Sequence, residues 1–132
     1  MTSIQDIADT IEQVLRPVES IDYAFLFGSA TGSLLPGSDV DILVGGDVGF
    51  DQRLFLTAAL SRRLRRDVDI VPVKEARSQL VAKAMSKGVL IFAKTREAVK
   101  QDYFRNWRAC DDSATLRRMK IERIKEQYVH GR

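Results

Sequence analysis

Asp39 and Asp41 stand one residue apart at the head of an apolar stretch, "DVDILV" (39–44), and "DVDIVPV" (67–73) begins in the same way with Asp67 and Asp69. In a strand, residues i and i+2 share a face. Asp39 and Asp41 therefore project together, and Val40, Ile42 and Val44 project to the opposite side. Two carboxylates that close repel each other, and loss of water pushes at least one towards protonation. A bound divalent cation removes both penalties. An oxygen-only ligand set suits Mg²⁺, which takes one or two carboxylates together with waters and substrate phosphates. If 67–73 lies beside 39–44, a third carboxylate reaches the pair. Asp69 is the candidate because it sits deeper in its strand, whereas Asp67 belongs to the mouth or turn. A two-metal centre needs such a third group, one that helps to generate the nucleophile while the others clamp phosphates.

Ahead of the pair runs "GSATGS" (28–33). Its small residues let backbone N–H groups approach phosphate oxygens, and a helix starting after Gly28 would point its N-terminus at an anion. Ser29 adds a hydroxyl. The loop is neither a Walker A sequence, since it lacks G-K-[ST], nor a dinucleotide G-x-G-x-x-G. Gly28 and Ser29 are thus candidate phosphate binders beside a candidate Mg²⁺ site at Asp39, Asp41 and Asp69.

The elements that must position these groups follow from periodicity. Ile4, Ile7, Ile11, Val14 and Leu15 form the apolar stripe of a helix capped by Ser3 and ended by Pro17. "DYAFLFGS" (22–29) reads as a buried strand stopped by Gly28, and 39–46 as a second strand closed by two glycines. A helix over 50–66 is expected to bury Leu54, Ala58 and Leu64, with arginines crowding its last turn where cations complement the helix dipole. A third strand (67–73) precedes a helix over 74–88, with Leu80, Val81, Ala84 and Met85 inward and Gly88 as its C-cap. "VLIFA" (89–93) is continuously apolar, which predicts a strand buried on both faces. From Thr95 the chain reads as helical, with Val99, Tyr103 and Trp107 or Phe104 as its stripe. "CDDS" (110–113) interrupts it, and Ser113 or Asp112 caps a last helix containing Leu116, Met119, Ile124 and Tyr128. The order of elements argues an α/β layer structure around a small mixed sheet.

The 132 residues suit one modest core, and the 45% hydrophobic and 30% charged content is that of an ordinary folded chain. Apolar runs fall far short of the ~20 residues that span a bilayer. The first fifteen residues carry acids where an export signal has a basic region. The single cysteine, Cys110, forms no internal disulfide, so a cytoplasmic location is expected. The net charge of +3 divides into −1 over residues 1–94 and +4 over 95–132. Such a basic tail permits nucleic-acid binding, but no recognised motif accompanies it, and a solvated helical face accounts for it. Lys74 reads as a solvated lysine at a helix start, and Tyr103, Phe104 and Trp107 as core packing in preference to a base-stacking surface.

Taken together, Phe27-Gly28-Ser29, a nine-residue spacer, Asp39-Val40-Asp41-Ile42 and the later Asp69 resemble the minimal nucleotidyltransferases of the DNA polymerase β-like superfamily. The phrases "LFGSATG", "GSDVDILV" and "VDIVPV" carry the likeness, which spans roughly residues 4–93. One departure is Thr31 followed by Gly32, where many minimal members have an arginine two residues after the serine. The resemblance implies a polymerase β-like core over 1–94, with about four mixed strands flanked by helices. Residues 95–132 would be a helical C-terminal extension packed on the core or on a partner. It implies transfer of a nucleoside monophosphate from a triphosphate, ATP by analogy, to an acceptor hydroxyl. Asp39, Asp41 and Asp69 would be the catalytic carboxylates holding two Mg²⁺ ions, and Gly28 and Ser29 would grip the departing pyrophosphate. The short chain more closely resembles MNT antitoxins paired with HEPN-domain toxins than it does antibiotic-modifying relatives. That likeness implies a HEPN toxin as partner, a tyrosine as acceptor and the basic tail as a docking surface. The competing expectation is an antitoxin or binding module that neutralises its partner by occlusion alone.

Overall fold

The computed structural model describes residues 3–28 and 39–110. Helix α1 (Ile4–Leu15) opens with a full capping box, since the Ser3 hydroxyl accepts from the Asp6 N–H while the Asp6 carboxylate accepts from the Ser3 N–H. Strands β1 (Ile21–Phe27) and β2 (Val40–Gly46) follow, then helix α2 (Phe50–Leu64) and strand β3 (Val68–Pro72). A single 3₁₀ turn (Val73–Glu75), helix α3 (Ser78–Lys87), strand β4 (Val89–Ala93) and helix α4 (Arg96–Ala109) complete the described chain. Within the described residues, the expected order of helices and strands is the one found.

The four strands form one mixed sheet in the order β3-β2-β1-β4. β1 pairs antiparallel with both β2 and β4, whereas β2 and β3 are parallel and joined through α2. A parallel pair requires such a crossover, because no tight turn returns the chain to the same end of the sheet. One face of the sheet is sealed by α1 and α2, through Ile7, Ile11, Leu15, Leu56 and Leu60 packed on Ala24, Leu26, Val40, Ile42, Val44 and Ile70. The other face carries Tyr23, Phe25 and Leu43 beneath Val81, Ala84 and Met85 of α3 and Val99 and Tyr103 of α4. There the Tyr23 ring lies over Gly45, where any Cβ would fall 2.0 Å from it, and its hydroxyl donates to Asp102 of α4 at 2.9 Å. Burial and the Asp102 carboxylate both raise the Tyr23 pKa, so this phenol stays a donor that ties α4 to the sheet. Among the described residues no helix is long and apolar enough to cross a membrane.

Three sequence expectations need correction. α2 buries Leu56 and Leu60, with Leu64 packed against them, while Leu54 is 53% exposed and Phe50 and Phe55 are each 72% exposed. Apolar residues occur on nearly every side of "FDQRLFLTAALSRRL", so spacing alone selects no face. β4 is an edge strand with only Phe92 buried. Its unbroken apolar run reflects partial cover by α1 and α4 on its two sides, without a second neighbouring strand. Finally, the helix expected from residue 74 starts at Ser78, after the 3₁₀ turn and an extended Ala76–Arg77 step. The expected caps by Ser3 and Gly88 are present. Phe104 and Trp107 pack on the second core as partly buried residues. The last helix, with Leu116, Met119, Ile124, Tyr128 and its caps, lies outside the described residues, as do Ser29, Thr31 and Gly32.

Candidate active site

The carboxylates meet because β2 and β3 run in parallel register. Val40 pairs with Val68, Asp41 with Asp69 and Ile42 with Ile70. Neighbouring strands lie about 4.8 Å apart, so Asp41 and Asp69 stand side by side on the face that also carries Leu43. A backbone bond from the Val40 N–H to the Asp67 carbonyl, 2.9 Å, fixes the start of this pairing. Asp67 is thereby placed at the mouth, ahead of β3, with its carbonyl used in the backbone. Asp39 stands exposed just before β2.

Gly28 completes the arrangement from the other side. Phe27, its neighbour, pairs with Asp41 across the antiparallel β1–β2 ladder. Gly28 has φ +86°, a left-handed conformation that favours glycine. A Cβ on it would also fall 2.4 Å from the Asp41 Oδ2. The chain therefore turns out of the sheet directly against the Asp41 carboxylate, and only glycine fits there.

Electrostatically the site is strained in one direction. Burial raises the Asp41 pKa, and the neighbouring Asp69 and Asp39 charges raise it further. Asp69 has a different setting, since its side chain is 64% exposed and the Arg53 Nη2 lies 3.7 Å from its Oδ1. Arg53 comes from the first turn of α2 and also donates from Nη1 to Glu75 at 3.1 Å. Lys74 is exposed and pairs with Asp47, away from the carboxylates. Arg53 is the site neighbour that sequence reasoning missed. Its only signal is topological, because a crossover helix beside an edge strand places its first turns near that strand's side chains.

Among the described residues, no group of three acidic, histidine or cysteine side chains converges into a closed metal cage. Two facing carboxylates, with a third at the start of the strand, instead form an open, oxygen-only half-site. That donor set fits Mg²⁺, which fills its remaining positions with water and phosphate oxygens. The raised Asp41 pKa points the same way, since burial first, and the Asp69 and Asp39 charges after it, disfavour a lone carboxylate that a cation would relieve.

The sequence profile described as polymerase beta, nucleotidyltransferase, matches residues 9–97. Several solved structures share the fold. A chain of a toxin–antitoxin complex with AMP-PNP superposes with a TM-score of 0.68 at 21% identity, covering 94% of this chain and 95% of that one. A chain of the MntA–HepT toxin–antitoxin complex gives 0.64 at 20% identity, covering 96% of each. A chain from the tri-AMPylated Shewanella oneidensis HEPN toxin in complex with MNT antitoxin gives 0.65 at 20% identity, covering 97% of each. No curated protein matches the sequence. With the profile match running from within α1 to the start of α4 and taking in Gly28, Asp41 and Asp69, the chain belongs to the polymerase β-type nucleotidyltransferase family.

Proposed function

We propose that this nucleotidyltransferase transfers AMP from ATP to an acceptor hydroxyl on a partner protein, a tyrosine of a HEPN-type toxin, and so acts as that toxin's antitoxin. The observation that carries the reading is the register of Asp41 against Asp69, with Gly28 closed upon the Asp41 carboxylate. Support for the partner comes from fold neighbours that are toxin–antitoxin complexes, one with AMP-PNP and one an AMPylated HEPN toxin with its MNT antitoxin.

Asp41 and Asp69, with Asp39 beside them, are the residues that would hold Mg²⁺. Bound there, the metal supplies charge neutralisation for the phosphates and for the acceptor oxygen. The acceptor oxygen forms a bond to the α-phosphorus as the α–β phosphoanhydride bond breaks, and pyrophosphate departs in line. Asp69, the more exposed carboxylate, faces the acceptor side and takes up its proton. Gly28 lies on the opposite side, and with Ser29, the next residue in the sequence, it would grip the leaving phosphates. The outer face of α4 and the residues that follow it, within 95–132, form the surface offered to the partner.

The decisive experiment incubates the full chain with the product of its neighbouring gene, Mg²⁺ and each nucleoside triphosphate, and weighs the partner by intact-mass spectrometry. The wild type adds one or more nucleoside monophosphate masses, and Asp41→Asn slows this on the order of a hundred- to a thousandfold. Neutralisation of the partner without a mass increase, and equally well by Asp41→Asn, would establish occlusion in place of catalysis.

A further inference from the structure

Beyond Gly28, on the side of the sheet away from Asp69, an open cavity of about 450 Å³ lies between the end of β1 and helix α3. Phe27, Leu80 and Ala84 give it an apolar floor, and Lys83 and Lys87 stand on its rim. The space is held by design of the backbone. At Gly88 a Cβ would fall 2.6 Å from the Leu26 carbonyl oxygen and 3.3 Å from the Phe27 Cβ, so the end of α3 is pinned against the end of β1.

Both lysines are exposed and, among the described residues, neither side chain makes a hydrogen bond or ion pair. They lie four residues apart and therefore one above the other on one helix face. The ordinary explanation, a cation complementing the C-terminal dipole of a helix, covers Lys87 in the last turn. It does not cover Lys83, a turn earlier on the same side of the cavity. The cations on the other side are already engaged, Arg53 with Asp69 and Glu75, and Lys74 with Asp47.

The sheet order then sets a direction. Asp69 on β3, Asp41 on β2 and Gly28 at the end of β1 follow one another across the sheet, and the two lysines come next. An in-line displacement needs its attacking and leaving oxygens on opposite sides of the phosphorus. With the acceptor on the Asp69 side, the leaving phosphates fall on the Gly28 side.

We propose that Lys83 and Lys87 form a polyphosphate subsite that binds the β- and γ-phosphates of the nucleoside triphosphate and the pyrophosphate it becomes. This rests on the nucleotidyl-transfer reading above and adds to it two specificity-determining residues, which favour triphosphates over monophosphates. Each lysine is a flexible point charge, suited to follow a phosphate that moves away during the reaction.

The test measures equilibrium binding to the full chain with Mg²⁺ present, using ATP, AMP and inorganic tripolyphosphate as separate probes. Lys83→Gln/Lys87→Gln is compared with the wild type and with Arg62→Gln/Arg63→Gln, which removes the same charge at the far end of α2. The cavity variant is expected to weaken both ATP and tripolyphosphate about tenfold or more. AMP binding stays within about twofold, and the control variant stays near wild type. Equal weakening in the control variant would reduce the effect to net charge and overturn the subsite. So would unchanged ATP binding by the cavity variant in a chain whose wild type still modifies its partner, and that result leaves the nucleotidyl-transfer reading standing. Loss of ATP binding with tripolyphosphate binding intact would assign the cavity to the base and overturn the phosphate assignment. A wild type that binds none of the three probes and modifies no partner removes both readings together.

Discussion

"DVDI" occurs twice in this chain, at 39–42 and at 67–70, and the two copies lie side by side in parallel, residue opposite residue. The same four residues nevertheless produce two different carboxylates. β2 has a strand on each side, so Asp41 is half-buried, and desolvation leads the causes that raise its pKa. β3 is the edge of the sheet, so Asp69 remains largely in water and Arg53 can reach it around that edge. Position in the sheet, and not local sequence, sets what each aspartate is ready to do. The central one is a poor place for a lone negative charge and a good place for a cation. The edge one stays open to solvent.

The largest test of this asymmetry is in the packing beneath each aspartate. Two residues on, Leu43 is fully buried in the second core, whereas its β3 partner Val71 is only partly buried. Leu43→Ala is expected to cost about 2–5 kcal/mol of unfolding free energy, the range for cavity-forming core substitutions. Val71→Ala is expected to cost about 1 kcal/mol, because less apolar surface returns to water. Urea denaturation of the two variants measures this directly. Equal costs would mean that the edge strand is as tightly enclosed as the central one.

A smaller effect is expected at Arg53. Replacing it with Gln removes the cation 3.7 Å from Asp69 and leaves Asp41 untouched. At ~4 Å in water an ion pair is worth about 1 kcal/mol. Removing this competing charge should lower the Mg²⁺ concentration for half-maximal thermal stabilisation about two- to fivefold. Arg53→Lys, which keeps the charge, should stay near wild type. Unfolding free energy should change by less than about 1 kcal/mol, since the pair is exposed. A rise in the Mg²⁺ requirement of Arg53→Gln would show that Arg53 assists the metal site instead of competing with it.

How far these features are legible in the sequence depends on what encodes them. The strands and their order are legible because "DVDILV" and "DVDIVPV" alternate acid and apolar positions, and because Gly28, Gly45-Gly46 and Pro17 punctuate them. The common face of Asp41 and Leu43 follows from the same alternation. The buried face of α2 is not legible, since its leucines offer two helical stripes and only tertiary contact with β3 and α1 selects Leu56 and Leu60. The edge position of β4 is hidden for a related reason. An apolar run records burial by helices as readily as burial between strands. Arg53 and the Lys83–Lys87 pair are charged residues on helices, which in sequence look like any solvated face. Only the sheet order reveals that the first lies beside Asp69 and the second beyond Gly28.

The smallest effect isolates the electrostatics of the central strand. Because the Asp41 pKa is raised, the folded chain holds that proton more tightly than the unfolded chain does. The stabilisation this gives is complete below the ordinary aspartate value, about pH 4, and is lost as pH rises through the folded value. Asp41→Asn carries no such charge. In metal-free buffer it should therefore match the wild type below about pH 4 and exceed it at neutral pH. The excess should be under about 1 kcal/mol, because solvent screens an open site. Asp69→Asn should give less, since it removes a like charge beside Asp41 but also deprives Arg53 of a partner. It should nonetheless shift the Asp41 titration to lower pH, which side-chain NMR would follow. Added Mg²⁺ reverses the ranking, stabilising the wild type more than Asp41→Asn. If Asp69→Asn proved the more stabilising variant without metal, the unfavourable charge would sit at the edge strand, and the assignment of roles to the two aspartates would be inverted.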